Sequence, residues 1–232
     1  IWLIATQDDE IAAAGQALFE SGVLEAGNIV LHCSGSLGAN AFQFASQGVS
    51  RASVHPIHSF ANPSQSIQTF AGSHCAVEGE PQAVEVLSSL FNAIGALPFD
   101  IDGDRKVLYH ASTVMACNYL ISLLETSQQL LSASGVSSTE ANPLEPLIRQ
   151  TMDNFFASDA KSALTGPIAR GDDKTVARHL AALEAEPDRP VWQQVYSALG
   201  NAAVPISAQQ GQASAESLEI IQKLLTPNIS GH

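Results

Sequence analysis

Two histidines in a proline-containing segment are the first side chains of this sequence suited to acid–base chemistry. His55 and His58 stand on either side of Pro56, three positions apart. Because proline disfavours the α conformation of the residue before it, the two imidazoles are not expected to share a helix face. An imidazole can act as a general acid or hydrogen-bond donor near neutral pH, although a loop histidine is more often structural. Both interpretations are open at this stage.

A second set of polar side chains lies within a long apolar segment. His110 and Asn118 are eight residues apart, and Lys106 stands one helical turn before His110. In an α-helix eight residues give roughly 80° of rotation and ~12 Å of rise, so His110 and Asn118 lie on the same side. Polar groups among so many apolar ones need partners, which either a protein core or a ligand cleft could supply. Because the helix starts where the predicted sheet ends, its position favours a cleft.

Two predicted strand ends carry small or polar residues of the kind that surround a bound ligand. These residues are Ala5, Thr6, Gln7 and Asp8 at the first strand end, and Ser34, Gly35 and Ser36 at the second. Ligands of parallel sheets bind beyond the carboxyl ends of the strands, helix N-termini favour anions, and glycine permits a close approach. Neither segment has the spacing of a nucleotide-binding glycine fingerprint or of a hydrolase nucleophile elbow. A helix cap and a glycine-assisted turn are the simpler alternatives.

A turn in the second half of the chain contains Thr165 and Arg170. An arginine is a natural anchor for a carboxylate or a phosphate. A plain connection between two helices also explains the turn, and composition alone favours that alternative.

The elements that must position these residues change in character at 102–104. Before this point short apolar runs alternate with helical patterns, which is typical of a parallel or mixed sheet covered by helices. Strands are predicted at 1–5, 28–33, 51–55, 74–78 and 97–101, and helices at 8–21, from 38 to about 48, and at 81–95. The strand at 1–5 is expected to be buried on both faces, and Thr6 and Asp9 fit a loose capping box for the first helix.

After 104 the pattern is helical throughout. A helix from 105 to about 134 is apolar nearly all round, so we expect it to be central and buried. Further helices are predicted at 138–157, 172–185, 188–203 and 214–225. The sequence therefore predicts an α/β domain over 1–103 and an all-helical domain over 104–232.

Composition and charge exclude several classes of function. The formal net charge is −13, so binding of a nucleic acid is not expected. Cys33, Cys75 and Cys117 are widely spaced and match no metal-binding pattern, which is typical of reduced thiols in a cytoplasmic protein. No apolar run is expected to reach bilayer length, so no membrane partner is expected. Only 14% of the residues are charged, and this low fraction indicates either extensive internal burial or an apolar surface covered by a second subunit.

Five segments in this order resemble one protein family. They are LIATQDDEI, VLHCSGSLG, SVHPIHSFA, LYHASTVMACNYL and LTGPIARGD. Together they resemble the Rossmann-like proteins with a DUF2520 domain, which belong with coenzyme F420-type NADP oxidoreductases and pyrroline-5-carboxylate reductases in the 6-phosphogluconate dehydrogenase-like superfamily. The resemblance implies a Rossmann-type α/β domain followed by an all-α domain of the 6-phosphogluconate dehydrogenase C-terminal type. It also implies that the strand at 1–5 matches the fourth Rossmann strand, and that the first three strands and the glycine fingerprint are missing from this sequence.

The resemblance also implies roles for individual residues. It implies NADP or NAD as cofactor, with contacts from Ala5, Thr6, Gln7, Asp8, Ser34 and Gly35. It implies catalytic roles for His110, Asn118 and His55, and substrate contacts from Ser36, His58, Lys106, Thr165 and Arg170. Related dehydrogenases carry a lysine and an asparagine four residues apart, whereas here His110 follows Lys106 at that distance, which argues against a hydroxyacid-dehydrogenase mechanism.

Two functions are expected from this resemblance. The first is an NAD(P)-dependent oxidoreductase that acts on a small metabolite in a cleft between the two domains, and that forms a homodimer through the helical domain. The alternative is a non-catalytic protein that keeps the Rossmann-like fold to bind a ligand or to serve as a scaffold.

Overall fold

The computed structural model describes residues 1–44, 48–136 and 142–226, in two compact units, Ile1–Ile121 and Ser122–His232. The first unit contains the sheet. Its strands are β1 (Trp2–Ile4), β2 (Ile29–His32), β3 (Ser50–Pro56), β4 (His74–Gly79) and β5 (Leu97–Asp100). Its helices are α1 (Ile11–Glu20), α2 (Pro63–Thr69), α3 (Pro81–Ala93) and α4 (Lys106–Val114), and a π-helical turn at Met115–Tyr119 follows α4.

The five strands form one mixed sheet in the order β1-β2-β3-β4-β5. Strands β1, β2 and β3 run parallel, β4 is antiparallel to β3, and β5 is parallel to β4. The carboxyl ends of β1, β2 and β3 therefore meet at one edge of the sheet. In the β3–β4 register Ser53 lies beside Glu78 and His55 lies beside Ala76. The prediction of a parallel or mixed sheet is confirmed.

Both faces of the sheet are packed. One face holds a core shared with α3, formed by Ile29, Leu31, Ala52, Val54, Cys75, Val77, Ala83, Leu87 and Ala96. The other face holds a core shared with α1, formed by Ile11, Val30, Phe42, Phe44 and Val49. Strand β2 is apolar at successive positions because its two faces contribute to these two cores.

Strand β1 is not buried in this chain. Trp2 is 38% exposed and Leu3 is 55% exposed. The expectation of burial on both faces is wrong here because β1 pairs only with β2, at the edge of the sheet. The predicted capping box is also not formed, because Gln7 precedes the first helical turn without a side-chain cap.

A helix is predicted from 38 to about 48, but the described residues of this segment form no α-helix. A single 3₁₀ turn spans Ala39–Ala41, and Phe42 is then extended and fully buried. Its ring packs so closely on Gly15 of α1 that a Cβ there would lie 2.5 Å from the ring. Burial of this aromatic side chain therefore outweighs the helical pattern, and residues 45–47 lie outside the described residues.

Helix α2 was not predicted, although its start has a recognisable signal. The Asn62 side chain accepts hydrogen bonds from the backbone N–H groups of Ser64 and Gln65, and Pro63 occupies the first helical position. An asparagine cap followed by proline is a common helix start.

The long apolar helix consists of α4, the π turn and α5 (Leu120–Ala133). Its apolar side chains are 62% to 69% exposed in the single chain at Val107, Leu108, Met115, Tyr119 and Ile121. The expectation of a central, buried helix is therefore wrong for the single chain. The segment Gly103–Ala133 is also long and apolar enough to cross a membrane by length and composition alone, so the expectation that no segment reaches this criterion is wrong too.

The boundary between the compact units falls inside this helix, whereas the sequence places the domain boundary at 102–104. Helix α4 belongs with the sheet because Lys106 and Tyr109 bond to residues of β3 and β4. The domain boundary at 102–104, directly after the last strand, therefore remains a prediction.

The second unit is helical in its described part. After α5 it contains α6 (Glu145–Ala157), α7 (Ala160–Ala163), α8 (Pro167–Arg170), α9 (Asp173–Glu184), α10 (Pro190–Gln210) and α11 (Ala215–Leu225). Its core is formed by Val176, Leu180, Val204, Leu218, Ile221 and Leu225. The helices predicted at 172–185 and 214–225 are confirmed, α10 extends beyond the predicted end at 203, and the predicted start at 138 lies outside the described residues.

Candidate active site

Three elements of the first unit meet at Gly35. Gly35 follows β2, His55 lies near the end of β3, and His110 lies in α4. A Cβ on Gly35 would clash with the His110 ring, 2.7 Å from its Nε2, and would lie 2.8 Å from Nε2 of His55. The two imidazoles are perpendicular, with centroids 5.5 Å apart. Only glycine therefore fits where the two rings converge at the carboxyl edge of the sheet.

His55 is held by a residue that the sequence analysis missed. The Tyr109 hydroxyl lies 2.7 Å from Nδ1 of His55, and the two rings pack edge to face at 5.6 Å. Burial lowers the pKa of His55 to about 4, and the positive charges of His110 and Lys106 add to this effect. Burial also raises the pKa of Tyr109 to about 12. The only sequence signal for Tyr109 was its place beside His110 and one turn after Lys106.

A cavity of about 440 Å³ opens beside the two imidazoles. It is lined by residues 55–59 from the end of β3 and by His110, Ser112, Thr113, Val114, Ala116, Cys117 and Asn118. Its volume falls in the range of small-molecule sites. The π turn contributes Cys117 and Asn118, and single π turns are frequent at functional sites. The structure thus brings His55, His110 and Asn118 to one cavity.

His58 lines the same cavity but is engaged by its surroundings. Its Nδ1 lies 3.0 Å from the Ser73 hydroxyl, and its Nε2 lies 3.4 Å from the Thr69 hydroxyl. Its ring packs edge to face against Phe60 at 4.9 Å. Both ring nitrogens are therefore within reach of a hydroxyl, which orients the imidazole at the rim of the cavity.

The two loops predicted to hold a cofactor are joined through Asp8. Its carboxylate accepts hydrogen bonds from the hydroxyls of Ser34 at 2.7 Å and Ser36 at 3.0 Å. The Ser34 hydroxyl also accepts the backbone N–H of Leu37 at 3.0 Å. These bonds fix the loop after β2 against the loop after β1. Ala5, Thr6 and Gln7 are exposed on the β1 loop.

His32 supports the loop after β2 from within the sheet. Its side chain is fully buried, its Nδ1 accepts the backbone N–H of Ser34, and its Nε2 lies 3.0 Å from the carbonyl of Gly38. These two bonds require a neutral ring with its hydrogen on Nε2. Burial lowers the pKa of His32, which favours the same neutral form. His32 therefore holds Gly35 in place without reaching the cavity.

Lys106 is buried, and its ammonium group is not part of the cavity lining. It is 1% exposed, and it donates to the Ser53 hydroxyl and to Oε1 of Glu78 at 3.2 Å. The same Glu78 oxygen accepts the backbone N–H of Ala39 at 2.8 Å. Burial lowers the pKa of Lys106, and the carboxylate of Glu78 opposes that shift. The predicted contact of Lys106 with substrate is replaced in this structure by an internal ion pair.

Glu78 was also missed by the sequence analysis. It is the only acidic or basic residue in β4 besides His74. A single carboxylate in a mostly apolar strand predicts an ion-pair partner inside the protein.

Thr165 and Arg170 belong to the second unit. Thr165 lines a mostly apolar cavity of about 350 Å³ together with residues of α5, α8 and α10. Arg170 is exposed at the end of α8, before Gly171 in the left-handed conformation. Their contact with substrate remains a prediction.

No group of three or more metal-ligating side chains is present among residues 1–44, 48–136 and 142–226.

The chain belongs to the DUF2520 family. The family model described as "Domain of unknown function (DUF2520)" matches residues 73–203, which is more than half of the chain. This confirms the resemblance seen in the sequence. The comparison with curated proteins gives no match.

Solved structures with similar folds include two bacterial proteins. The chain is similar to protein TM1727 from Thermotoga maritima, with a TM-score of 0.68 and 21% identity over 90% of this chain and 78% of that one. It is also similar to the candidate NADP oxidoreductase BF3122 from Bacteroides fragilis, with a TM-score of 0.67 and 19% identity over 90% and 73% of the two chains.

A fungal enzyme shares the fold more distantly. The reductive aminase from Aspergillus terreus, in complex with NADPH and ethyl-5-oxohexanoate, has a TM-score of 0.51 and 18% identity over 96% of this chain and 71% of that one. These similarities show the fold, which is a Rossmann-type α/β part followed by a helical part. The predicted fold class is confirmed.

Proposed function

We propose that this protein is an NAD(P)-dependent oxidoreductase of a small metabolite that binds in the cavity beside His55 and His110. The observation that carries the proposal is the convergence of these two imidazoles on Gly35. They meet at the carboxyl edge of the parallel strands, where ligands of such sheets bind. The reductive aminase of similar fold was solved with NADPH, which supports the choice of cofactor.

In this proposal the loops after β1 and β2 hold the nicotinamide cofactor. The Asp8 carboxylate is already engaged by two serine hydroxyls, so its charge is partly compensated before a phosphate-bearing ligand approaches. Exposed Ala5, Thr6 and Gln7 would contact the cofactor from the β1 loop, and Ser34 and Gly35 would do so from the β2 loop. When bound, the cofactor supplies or accepts the hydride.

The residues of the cavity would orient the reacting group and handle its proton. In this proposal His110 and Asn118 hydrogen-bond the carbonyl, imine or alcohol, and His55 completes the set from β3. In this proposal His58 and Ser36 contact more distant parts of the substrate. Lys106 keeps a supporting role because its ammonium is paired inside the protein.

Cofactor titration of the full gene product tests the proposal. We expect NADPH or NADH to raise the melting temperature and to change the nicotinamide fluorescence. A matched pair of variants then tests whether turnover depends on the cavity. The pair is His110→Ala in the cavity and the exposed His179→Ala in the second unit. Turnover should be lost only in His110→Ala, with folding retained. The absence of any thermal or fluorescence response to both cofactors would refute the proposal.

A non-catalytic, ligand-binding protein is the second candidate function. The observation in its favour is the burial of Lys106, whose ammonium group is paired with Glu78 and does not line the cavity. This candidate predicts cofactor or ligand binding without turnover of any small carbonyl, imine or alcohol.

We also propose that the protein is a cytoplasmic homodimer. The exposed apolar side chains of the long helix support the proposal, because monomeric proteins rarely leave so many apolar groups along one element in water. A second copy of the chain would cover them.

A further inference from the structure

We propose that Tyr109 is a positioning residue that holds His55 with its hydrogen on Nε2, so that His55 presents an N–H donor and not a base where its ring converges with that of His110 beside the cavity. The meaning of this arrangement for catalysis depends on the proposed function. The arrangement itself is a property of the protein without any ligand.

The contact between Tyr109 and His55 favours the tyrosine hydroxyl as the donor. Among the described residues, the Tyr109 hydroxyl has His55 Nδ1 as its hydrogen-bond partner, at 2.7 Å. If Nδ1 carried the hydrogen and donated it, the hydroxyl hydrogen of this half-buried tyrosine would need a second acceptor. If the hydroxyl donates to Nδ1, one bond satisfies both groups, and the ring hydrogen must then be on Nε2.

Aromatic packing keeps the hydroxyl aimed at Nδ1. The Tyr109 ring packs edge to face on His55 at 5.6 Å and lies 6.3 Å from the Phe99 ring, tilted by 68°. Because Tyr109 stands one turn after Lys106, the buried pair of Lys106 with Glu78 also sets the position of its backbone on the sheet. The tyrosine is therefore fixed from both sides.

The charges around His55 keep its ring neutral, which the proposal requires. The groups that act on it are His110 and Lys106 from α4, which disfavour protonation, and Asp8 from the loop after β1, which favours it. Burial is the largest effect, and it lowers the pKa of His55 to about 4. The pKa of Tyr109 is raised to about 12, so its hydroxyl keeps its hydrogen at neutral pH.

A neutral His55 with its hydrogen on Nε2 is suited to one kind of partner. Its Nε2 faces Gly35 and His110, and no described residue forms a hydrogen bond with it. An N–H donor there binds a lone pair, such as that of a ketone or aldehyde oxygen. It stabilises the negative charge that develops on this oxygen when hydride is added to the carbonyl carbon. The site is therefore arranged for a carbonyl substrate, with His55 as the fixed hydrogen-bond donor.

Nitrogen-15 NMR of the histidine rings in the cofactor-free protein tests the proposal. The two ring nitrogens of a neutral histidine give separate signals that identify the nitrogen carrying hydrogen. We expect His55 to carry it on Nε2 at neutral pH. In Tyr109→Phe, which removes only the hydroxyl, we expect a mixture of both tautomers. The exposed Tyr119→Phe is the matched control, and its His55 signals should not change.

The outcomes separate the proposal from the proposed function. Hydrogen on Nδ1 in the unmodified protein would overturn the proposal, and this spectrum alone is sufficient if Tyr109→Phe does not fold. An unchanged His55 tautomer in folded Tyr109→Phe would overturn it as well. Failure to bind NADPH or NADH would leave both spectra as expected and would refute only the proposed function. If turnover is found, Tyr109→Phe should lower kcat by up to about tenfold with little change in KM.

Discussion

At the scale of single residues, His55 shows how burial can prepare an imidazole for one role. Its pKa of about 4 is set first by burial and then by His110 and Lys106. A neutral ring between a tyrosine hydroxyl and a glycine is a hydrogen-bonding group, so proton transfer in this cavity falls to other side chains. His110, whose ring converges with that of His55 on Gly35, is the residue placed for it.

The depressed pKa of His55 predicts a pH dependence of stability. Between pH 6.5 and about 4 the unfolded chain binds a proton at this residue and the folded protein does not. The free energy of unfolding should therefore fall as the pH falls through this window. In His55→Gln the unfolding free energy should change less steeply with pH. Some dependence remains, because the pKa of His32 is also lowered. Urea unfolding at a series of pH values measures this, with His179→Gln as control. An equal slope in His55→Gln would contradict the prediction.

Gly35 allows a test of the convergence of the two imidazoles. A methyl group at this position meets the His110 ring, so Gly35→Ala should lower the free energy of unfolding by about 1 to 3 kcal/mol. In the double variant with His110→Ala the closest clash is removed and only the contact with Nε2 of His55 is left, so the two losses should not fully add. Chemical denaturation of the two single variants and the double variant gives the coupling. Additive losses would show that Gly35 and His110 are not in contact.

At the scale of elements, the buried pair of Lys106 and Glu78 joins the start of α4 to β4. Glu78 also holds the turn at Ala39, and Lys106 also bonds Ser53 of β3. One ammonium group thus ties a helix to two neighbouring strands. Because Tyr109 and His110 are on the following turn of α4, their positions over His55 and Gly35 depend on this pair.

Loss of either member of the pair should destabilise the first unit strongly. Glu78→Gln leaves the buried Lys106 without its charged partner and should cost about 3 to 5 kcal/mol of unfolding free energy, and Lys106→Met, which leaves the 10% exposed Glu78 unpaired, should cost about 3 kcal/mol. The exposed pair of Lys223 with Glu219 in α11 is the matched control. Lys223→Met should cost less than about 1 kcal/mol. Similar losses in the buried and the exposed pair, measured by denaturant unfolding, would contradict this assignment.

At the scale of the whole molecule, the long helix is the element whose apolar side chains are left uncovered in a single chain. Its first part packs on the sheet through Lys106 and Tyr109, and its remaining faces carry apolar side chains in contact with solvent. A helix that is apolar nearly all round is normally covered on all sides. The homodimer proposed above supplies that cover.

Sedimentation at micromolar concentration tests the homodimer. We expect a dimer, and we expect the variant with Leu108→Glu and Ile121→Glu to sediment as a monomer, because charges at these exposed apolar positions of the long helix oppose their burial. Ile67→Glu on α2 is the control, since Ile67 is 82% exposed and lies away from the long helix in sequence. A monomer of the unmodified protein would refute the proposed dimer.

The sequence by itself determined the five strands, several of the helices, the family and the residues at the strand ends, whereas it missed α2 and predicted a helix from 38 where the described residues form a 3₁₀ turn. These features depend on local periodicity, on turn residues and on five short segments, all of which can be seen without any long-range contact. His55, His110 and Asn118 were found in this way, and the structure places them around one cavity.

Only the tertiary structure decided which polar groups face that cavity and which are paired inside. Lys106 and His110 are one turn apart and looked equivalent, yet Glu78 from β4 captures the first and leaves the second beside Gly35. Tyr109 acquires its importance only because the end of β3 brings His55 within 2.7 Å of its hydroxyl. The physical reason is that burial and ion pairing depend on neighbours distant in sequence, and periodicity along one segment carries no information about them.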